Sequence, residues 1–209
     1  MTGRDHGPVA VGQEPDARVS HRQTTHDGSQ MGDGQIAMAF FNPPNYLGAM
    51  TAESEPLARR LAGMATDAGL ETQFTTDIKK YEWEKVILNS ALSPVCALTR
   101  KPMKDMMDLG CTENLVEEIL REGIEVAEAS GITFGEGFLD HCIQYLKGAG
   151  YHRTSMHQDV LRRIPTEIDW INTKIVEWGH AYGVSTPYNL TIAALIKGLE
   201  IKSRAPEGH

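Results

Sequence analysis

Two polar side chains in the segment 83–89 (W-E-K-V-I-L-N) suit chemistry on a carbonyl group. Lys85 and Asn89 are four residues apart, so on a helix they project from the same face, whereas Ile87 and Leu88 are apolar. A cation and an amide placed side by side can bind a carbonyl oxygen and protonate it. The alternative is a solvated helix face with a lone lysine, and the spacing alone favours that alternative.

Two later segments carry polar side chains at the expected starts of helices. Ser155 followed by Gln158 fits a capping box, although the serine hydroxyl could instead donate to a substrate carboxylate at the helix start. Thr166 fits an N-cap, with Glu167 and Asp169 in the first turn, where the helix dipole favours carboxylates. Capping explains each segment taken alone, and the spacing does not choose between capping and ligand binding.

Helices are the elements expected to position these residues. From residue 78 onward the apolar spacing predicts an all-α domain, with Pro94 bending or breaking its first helix. The predicted helices span residues 81–97, 115–130, 138–147, 155–163, 166–182 and 188–201.

The first third of the chain has a different character. Alternation predicts a strand at 35–41, and a helix at 55–68 carries Leu57, Leu61 and Met64 on one face, followed by a short strand at 70–75. Residues 1–23 show no apolar period and are predicted to be a mobile tail. We therefore divide the chain into a tail (1–23), the remnant of an α/β nucleotide-binding domain (24–78) and a helical substrate and catalytic domain (79–205).

Composition excludes several classes of function. A net charge of -8 argues against nucleic-acid binding, and no apolar run is long enough to span a membrane, so a soluble cytoplasmic protein is expected. Cys96, Cys111 and Cys142 form no C-x-x-C motif and are expected to be small buried hydrophobes. The histidines do not lie at helical ligand spacing, so no metal site is expected.

The combination and order of the motifs resemble the ketopantoate reductase (2-dehydropantoate 2-reductase) family. The resemblance rests on W-E-K-V-x-x-N at 83–89, S-M-x-Q-D at 155–159, T-E-I-D at 166–169 and G-V-S-T-P-Y-N at 183–189, and Thr24-Thr25-His26 resembles the end of the family's nucleotide-binding domain. It implies a 6-phosphogluconate dehydrogenase C-terminal-like helical domain after a remnant of a Rossmann domain. It also implies NADPH-dependent reduction of 2-dehydropantoate to pantoate, on the route to pantothenate and coenzyme A.

The resemblance assigns roles to individual residues. Lys85 matches the catalytic lysine, which protonates the ketone oxygen, and Glu167 matches the glutamate at the junction of substrate and cofactor. Asn89 and Ser155 match substrate-binding residues, and Gly28 falls near a position that contacts NADP. Where the family has a second substrate-binding asparagine, this chain has Ser93, which implies an altered substrate preference.

A second departure concerns the cofactor. The sequence has no G-x-G-x-x-G and no N-G-x-G segment, although the Rossmann fold binds the pyrophosphate at such a loop. A truncated or split chain that works with a complementing nucleotide-binding half is therefore expected. Its partners would be a small 2-oxoacid and a second copy in a homodimer. The alternatives are a non-catalytic helical module for dimerisation or ligand binding, and another dehydrogenase of the same superfamily, against which the motifs at 155–159 and 166–169 argue.

Overall fold

The computed structural model describes residues 21–23, 26–33, 35–41 and 43–201, and these form two compact units, Met1–Ile78 and Lys79–His209. Most of the predicted tail, and Thr24 and Thr25 of the resemblance, lie outside the described residues. Within the predicted tail, residues 21–23 form a strand.

The first unit contains a small α/β arrangement. Strand β4 (Asn45–Gly48) pairs in parallel with β5 (Thr72–Thr75), and helix α1 (Glu55–Asp67) connects them. Strand β1 (His21–Gln23) adds to β4 in antiparallel orientation. Strands β2 (His26–Gly32) and β3 (Gln35–Phe41) form a separate antiparallel pair. The strand predicted at 35–41 is confirmed, and the β4–α1–β5 crossover is the connection typical of nucleotide-binding folds.

The buried face of α1 differs from the face marked by its large apolar residues. Ala58 and Ala62 are buried against Leu47, whereas Leu57, Leu61 and Met64 are 49%, 40% and 55% exposed. The described sheet has only three short strands, so it covers a narrow stripe of the helix, and the alanines occupy that stripe. The helix was predicted correctly, whereas the face that carries its large apolar residues is not the face that is buried.

The second unit is all-helical. Its helices are α2 (Ile78–Thr99), α3 (Met103–Met107), α4 (Gly110–Ala129), α5 (Phe138–Lys147), α6 (Ser155–Arg162), α7 (Asn172–Tyr182) and α8 (Pro187–Glu200). The mainly α fold class is confirmed. None of the helices in the described part of the chain is long and apolar enough to cross a membrane.

Helix α2 lies at the centre of this unit. One large apolar cluster joins it to α4, α5 and α8 through these buried residues: Ile87, Ala91, Leu92, Val95, Cys96, Val116, Ile119, Leu120, Ala127, Cys142, Leu146 and Ile192. Of the bend or break predicted at Pro94, the break is absent, because α2 continues through this residue. A different predicted helix, 166–182, is interrupted. Its first part forms a 3-10 turn (Ile168–Trp170), and α7 begins after Ile171.

The cysteines only partly fit the expectation. Cys96 and Cys142 are buried, and burial raises the pKa of each thiol to about 12, with the charge of Glu84 as a second cause at Cys142. Cys111 is exposed, so the expectation of a buried hydrophobe is wrong there. It lies in the first turn of α4, before the stripe of buried residues begins at Val116.

Gly179 marks a close contact between α7 and the turn that leads to α8. A Cβ atom at this position would lie 2.8 Å from Thr186 Cγ2 and 2.9 Å from the backbone oxygen of Val184. We expect Gly179→Ala to lower the free energy of unfolding by about 1–3 kcal/mol, because the turn must move to admit the methyl group. Urea unfolding followed by circular dichroism measures this loss.

The matched control is Gly198→Ala in α8, where no atom lies within 4 Å of the added Cβ. This substitution is expected to stabilise the protein by up to about 1 kcal/mol, since alanine is the better helix former. Equal unfolding midpoints for the two variants would show that the turn at Val184 yields freely.

Candidate functional site

Three of the predicted site residues form a row along α2. Lys85, Asn89 and Ser93 succeed one another at intervals of four, so they lie on one face of the helix. Lys85 is exposed, Asn89 is half-buried and Ser93 is buried, so the row runs from the surface into the protein. Within residues 43–201, these three side chains make no hydrogen bond or ion pair, and their polar groups remain available to a ligand.

The start of α6 lies against the inner end of this row. Thr154 is the N-cap, because its hydroxyl accepts a hydrogen bond from His157 N at 3.2 Å. The same hydroxyl donates to the backbone oxygen of Ser93 at 3.4 Å, a contact that places α6 beside α2. The predicted cap, Ser155, is therefore wrong by one residue. Ser155 is exposed in the first turn and has no hydrogen-bond partner in the described part of the chain.

His157 follows Ser155 on the buried side of α6, with an exposure of 1%. Burial lowers the pKa of its imidazole, the cations of Arg153 and Arg100 lower it further, and a hydrogen bond with the backbone of Lys101 opposes them. His157 is thus held in its neutral form at neutral pH. It does not suit the role of a proton donor beside the row on α2.

Glu167 lies between two residues that are already engaged. Thr166 donates through its backbone N–H and its hydroxyl to Glu200 Oε1, at 2.7 and 2.8 Å, and Asp169 pairs with Lys197 at 2.7 Å. Although burial opposes ionisation of Glu200, its hydrogen bonds with Thr166 and Lys197 hold its pKa below the ordinary value. Thr166 also accepts a hydrogen bond from Ile168 N at 3.3 Å, but the N-cap of the 3-10 turn is Glu167, so the predicted N-cap, Thr166, is wrong by one residue.

The side chain of Glu167 itself is exposed and has no partner among the described residues. The contacts of Thr166 and Asp169 hold the backbone on both sides of it. Contacts with α8 therefore engage Thr166 and Asp169 and leave the Glu167 carboxylate available.

One apolar cluster joins the three segments. Val86, Met156 and Ile168 directly follow Lys85, Ser155 and Glu167 in the sequence, and all three pack in the cluster formed by Ala97, Ile171, Ala193 and Ile196. The backbone segments that carry Lys85, Ser155 and Glu167 are therefore joined through one apolar cluster. An ammonium, an amide, a hydroxyl and a carboxylate are the donors and acceptors needed to hold a small oxoacid with a hydroxyl group.

A buried network of hydrogen bonds joins α2, at Ser90, to side chains of α7, α8 and α4. Asn172 Nδ2 donates to the backbone oxygen of Ser90 at 2.9 Å and to Asn189 Oδ1 at 3.0 Å. Asn189 Nδ2 donates to Glu122 Oε2 at 2.8 Å. The sequence indicated only Asn189, as part of the motif at 183–189. Pro94 is the sequence feature that could have indicated the rest of this network, because a proline inside a helix leaves one backbone carbonyl without its helical hydrogen-bond donor.

A hollow of about 740 Å³ lies elsewhere, at the carboxyl-terminal ends of α2, α6 and α8. It is lined by Arg100, Val160, Arg163, Ile164, Pro165, Leu199, Glu200 and Ile201. None of the predicted site residues is among them, and the row on α2 therefore has no part in this hollow.

The described residues do not fit the pyrophosphate of a dinucleotide. The helix that follows a parallel strand here, α1, is preceded by Glu53 and begins with Glu55, and carboxylates repel an anion at that position. Hydrogen bonds from the backbone at Glu53 and then from Thr51 hold the pKa of Glu53 low, so its charge persists. Gly28 lies in β2 opposite Met38, in the first unit.

Comparison with known proteins identifies the family. Residues 77–200 match the model of the carboxyl-terminal domain of ketopantoate reductase (PanE/ApbA). The chain belongs to the ketopantoate reductase family. The 2-dehydropantoate 2-reductase of Pyrococcus abyssi is 32% identical over 154 residues, which cover 74% of this chain and 51% of that protein. The chain thus spans about half the length of the curated relatives it matches.

Solved structures show the same fold. The 2-dehydropantoate 2-reductase of Geobacter metallireducens has a TM-score of 0.78 at 23% identity, covering 86% of this chain and 60% of that one. D-mandelate dehydrogenase, in a complex with NADH, has a TM-score of 0.77 at 25% identity, covering 87% of this chain and 62% of that one. The helical unit is therefore the carboxyl-terminal domain of the ketopantoate reductase family, preceded by a small remnant of a Rossmann domain.

Proposed function

We propose that this chain binds a 2-oxoacid and supplies the proton in a ketopantoate reductase reaction, with 2-dehydropantoate as the substrate and pantoate as the product. The observation that supports the proposal is that Lys85, Asn89, Ser155 and Glu167 have no side-chain partner among residues 43–201, while the residues that directly follow Lys85, Ser155 and Glu167 pack in one apolar cluster. The packed neighbours hold the backbone at Lys85, Ser155 and Glu167, and the side chains of these three residues are exposed and open to a ligand.

Lys85 is the general acid in this proposal. Its ammonium donates a hydrogen bond to the ketone oxygen and transfers the proton as that oxygen gains negative charge. Asn89, one turn further along α2, donates from its amide to the same oxygen or to the adjacent carboxylate. The exposed position of Lys85 gives the substrate access from solvent.

Ser155 and Glu167 hold the two ends of the substrate. The Ser155 hydroxyl lies in the first turn of α6, where backbone N–H groups favour an anion, and we assign it to the substrate carboxylate. Glu167 accepts a hydrogen bond from the substrate hydroxyl. Ser93 ends the row, and its shorter reach compared with asparagine favours a related 2-oxoacid as an additional substrate.

The nicotinamide cofactor is bound largely outside the described residues. Relatives in the family carry the name 2-dehydropantoate 2-reductase, and D-mandelate dehydrogenase has been solved with NADH. We propose NADPH as the hydride donor, with Glu167 at the edge of its binding site and a separate nucleotide-binding half that holds the pyrophosphate. The homodimer and the complementing half remain predictions.

Complementation tests this function. The chain is mixed with a separately produced nucleotide-binding half of the Pyrococcus abyssi relative, and the loss of NADPH absorbance is followed on addition of 2-dehydropantoate. We expect turnover by the mixture and none by either part alone, and no NADPH binding by the chain alone in a fluorescence titration. A mixture that assembles and binds NADPH but does not reduce a 2-oxoacid would favour the non-catalytic alternative.

A further inference from the structure

One backbone carbonyl in the middle of α2 has lost its helical donor. Pro94 has no N–H, so the oxygen of Ser90, four residues earlier, cannot receive the usual hydrogen bond of a helix. Ser90 is fully buried, and water does not reach it to make up the loss. Asn172 Nδ2 takes the place of the missing donor, at 2.9 Å.

The orientation of the Asn172 amide is determined by its surroundings. Its nitrogen faces two acceptors, the Ser90 oxygen and Asn189 Oδ1 at 3.0 Å, and a reversed amide would present an oxygen to both. Asn189 is oriented in turn by the Glu122 carboxylate, which accepts from its side chain and from its backbone N–H, both at 2.8 Å. All three residues of this chain of hydrogen bonds are buried.

Asn172 connects the two parts of the proposed site. Ser90 directly follows Asn89 and lies between Lys85 and Ser93, within the row that α2 presents. Asn172 is the first residue of α7, and only Ile171 separates it from the 3-10 turn Ile168–Trp170, which Glu167 directly precedes. A movement of this side chain would therefore shift the ammonium and amide relative to the carboxylate.

We infer that Asn172 is a positioning residue, whose carboxamide fixes the stretch of α2 carrying Lys85, Asn89 and Ser93 against the segment carrying Glu167. The inference rests on the proposed function for its consequence. Asn172 does not contact the substrate and acts through the Ser90 carbonyl.

Kinetics of the complemented enzyme test this inference. Because small displacements of aligned groups are costly, Asn172→Ala is expected to lower kcat/KM for 2-dehydropantoate roughly ten- to a hundredfold. The control is Ile175→Val on the same helix, which thins buried packing near Gly123 and breaks no hydrogen bond. It is expected to keep kcat/KM near the wild-type value. Equal kcat/KM in the two variants would overturn the inference.

A double variant separates the hydrogen bond from packing. In Pro94→Ala combined with Asn172→Ala, residue 94 again has an N–H for the Ser90 oxygen, and part of the lost kcat/KM is expected to return. No recovery, with both proteins folded, would mean that the bond to Ser90 is not the cause.

A ligand-free measurement keeps the inference separate from the proposed function. The side-chain amide signals of Asn89 are recorded by NMR in wild type, Asn172→Ala and Ile175→Val. If no 2-oxoacid is turned over by the wild-type mixture, the proposed function fails. Signals that move only in Asn172→Ala would still support the positioning role, and signals that stay unmoved would refute it.

Discussion

Lys85→Ala is expected to lower kcat of the complemented enzyme by about a hundredfold or more, the loss typical of removing a general acid. The alkoxide that forms during reduction would have to take its proton from water, and its negative charge would lose the nearby ammonium. The folded structure should be unaffected, because the Lys85 side chain is exposed and makes no ion pair within the described residues. Initial rates of NADPH loss at several concentrations of 2-dehydropantoate give kcat and KM separately.

Lys79→Ala is the matched control for this prediction. Lys79 is also an exposed lysine on α2, but its spacing of six residues from Lys85 places it on another face of the helix. Its removal changes the net charge equally and is expected to leave kcat unaltered. If the two variants turned over at the same rate, Lys85 would lose its catalytic role, whatever the wild-type mixture achieved.

The spacing of apolar residues and the positions of glycines were sufficient to predict several elements. Helix α5 occupies Phe138–Lys147 as predicted, because Gly137 and Gly148 bound a run with a clear apolar face. The stripe on α4 is confirmed by the burial of Val116, Ile119 and Leu120. Each of these features is local, since it depends on residues within a few turns of one another.

Elements fixed by contacts distant in sequence could not be predicted in this way. Thr154 and Ser155 are both suitable N-cap residues. Thr154 is the N-cap in the structure, and its hydroxyl also donates to the Ser93 oxygen, 61 residues away. The predicted helix 166–182 is divided near Ile171, where Asn172 turns its amide toward Ser90, 82 residues away. Neither partner can be recognised from spacing within its own segment.

The proposed site was also predictable from the sequence only in part. The order of the motifs supplied Lys85, Asn89, Ser155 and Glu167, while the packing that joins their segments comes from Val86, Met156 and Ile168. These apolar neighbours carry no chemical signal of their own. Family resemblance therefore identified the polar residues, and the structure was needed to show which apolar contacts hold their backbones together.

Glu122→Ala is expected to have the largest effect on stability, a loss of about 2–4 kcal/mol in the free energy of unfolding. The carboxylate is only 6% exposed and accepts from the backbone N–H groups of Tyr188 and Asn189, both at 2.8 Å. These are the first free N–H groups of α8 after Pro187, and the helix dipole adds to their attraction for a negative charge. Alanine would leave the buried N–H of Asn189 and the partly buried N–H of Tyr188 without this acceptor.

Glu125→Ala serves as the control, because Glu125 lies on the same helix α4 but is exposed, and its loss is expected to change stability by no more than about 0.5 kcal/mol. Glu122→Gln should fall between the two, since its amide keeps one accepting oxygen and turns a donor toward another N–H. Urea unfolding of the three variants gives the comparison. Coinciding midpoints for Glu122→Ala and Glu125→Ala would mean that α8 is held by its apolar face alone. A large difference would show that the carboxylate anchors α8, and with it Asn189 and Asn172, behind the row of polar residues on α2.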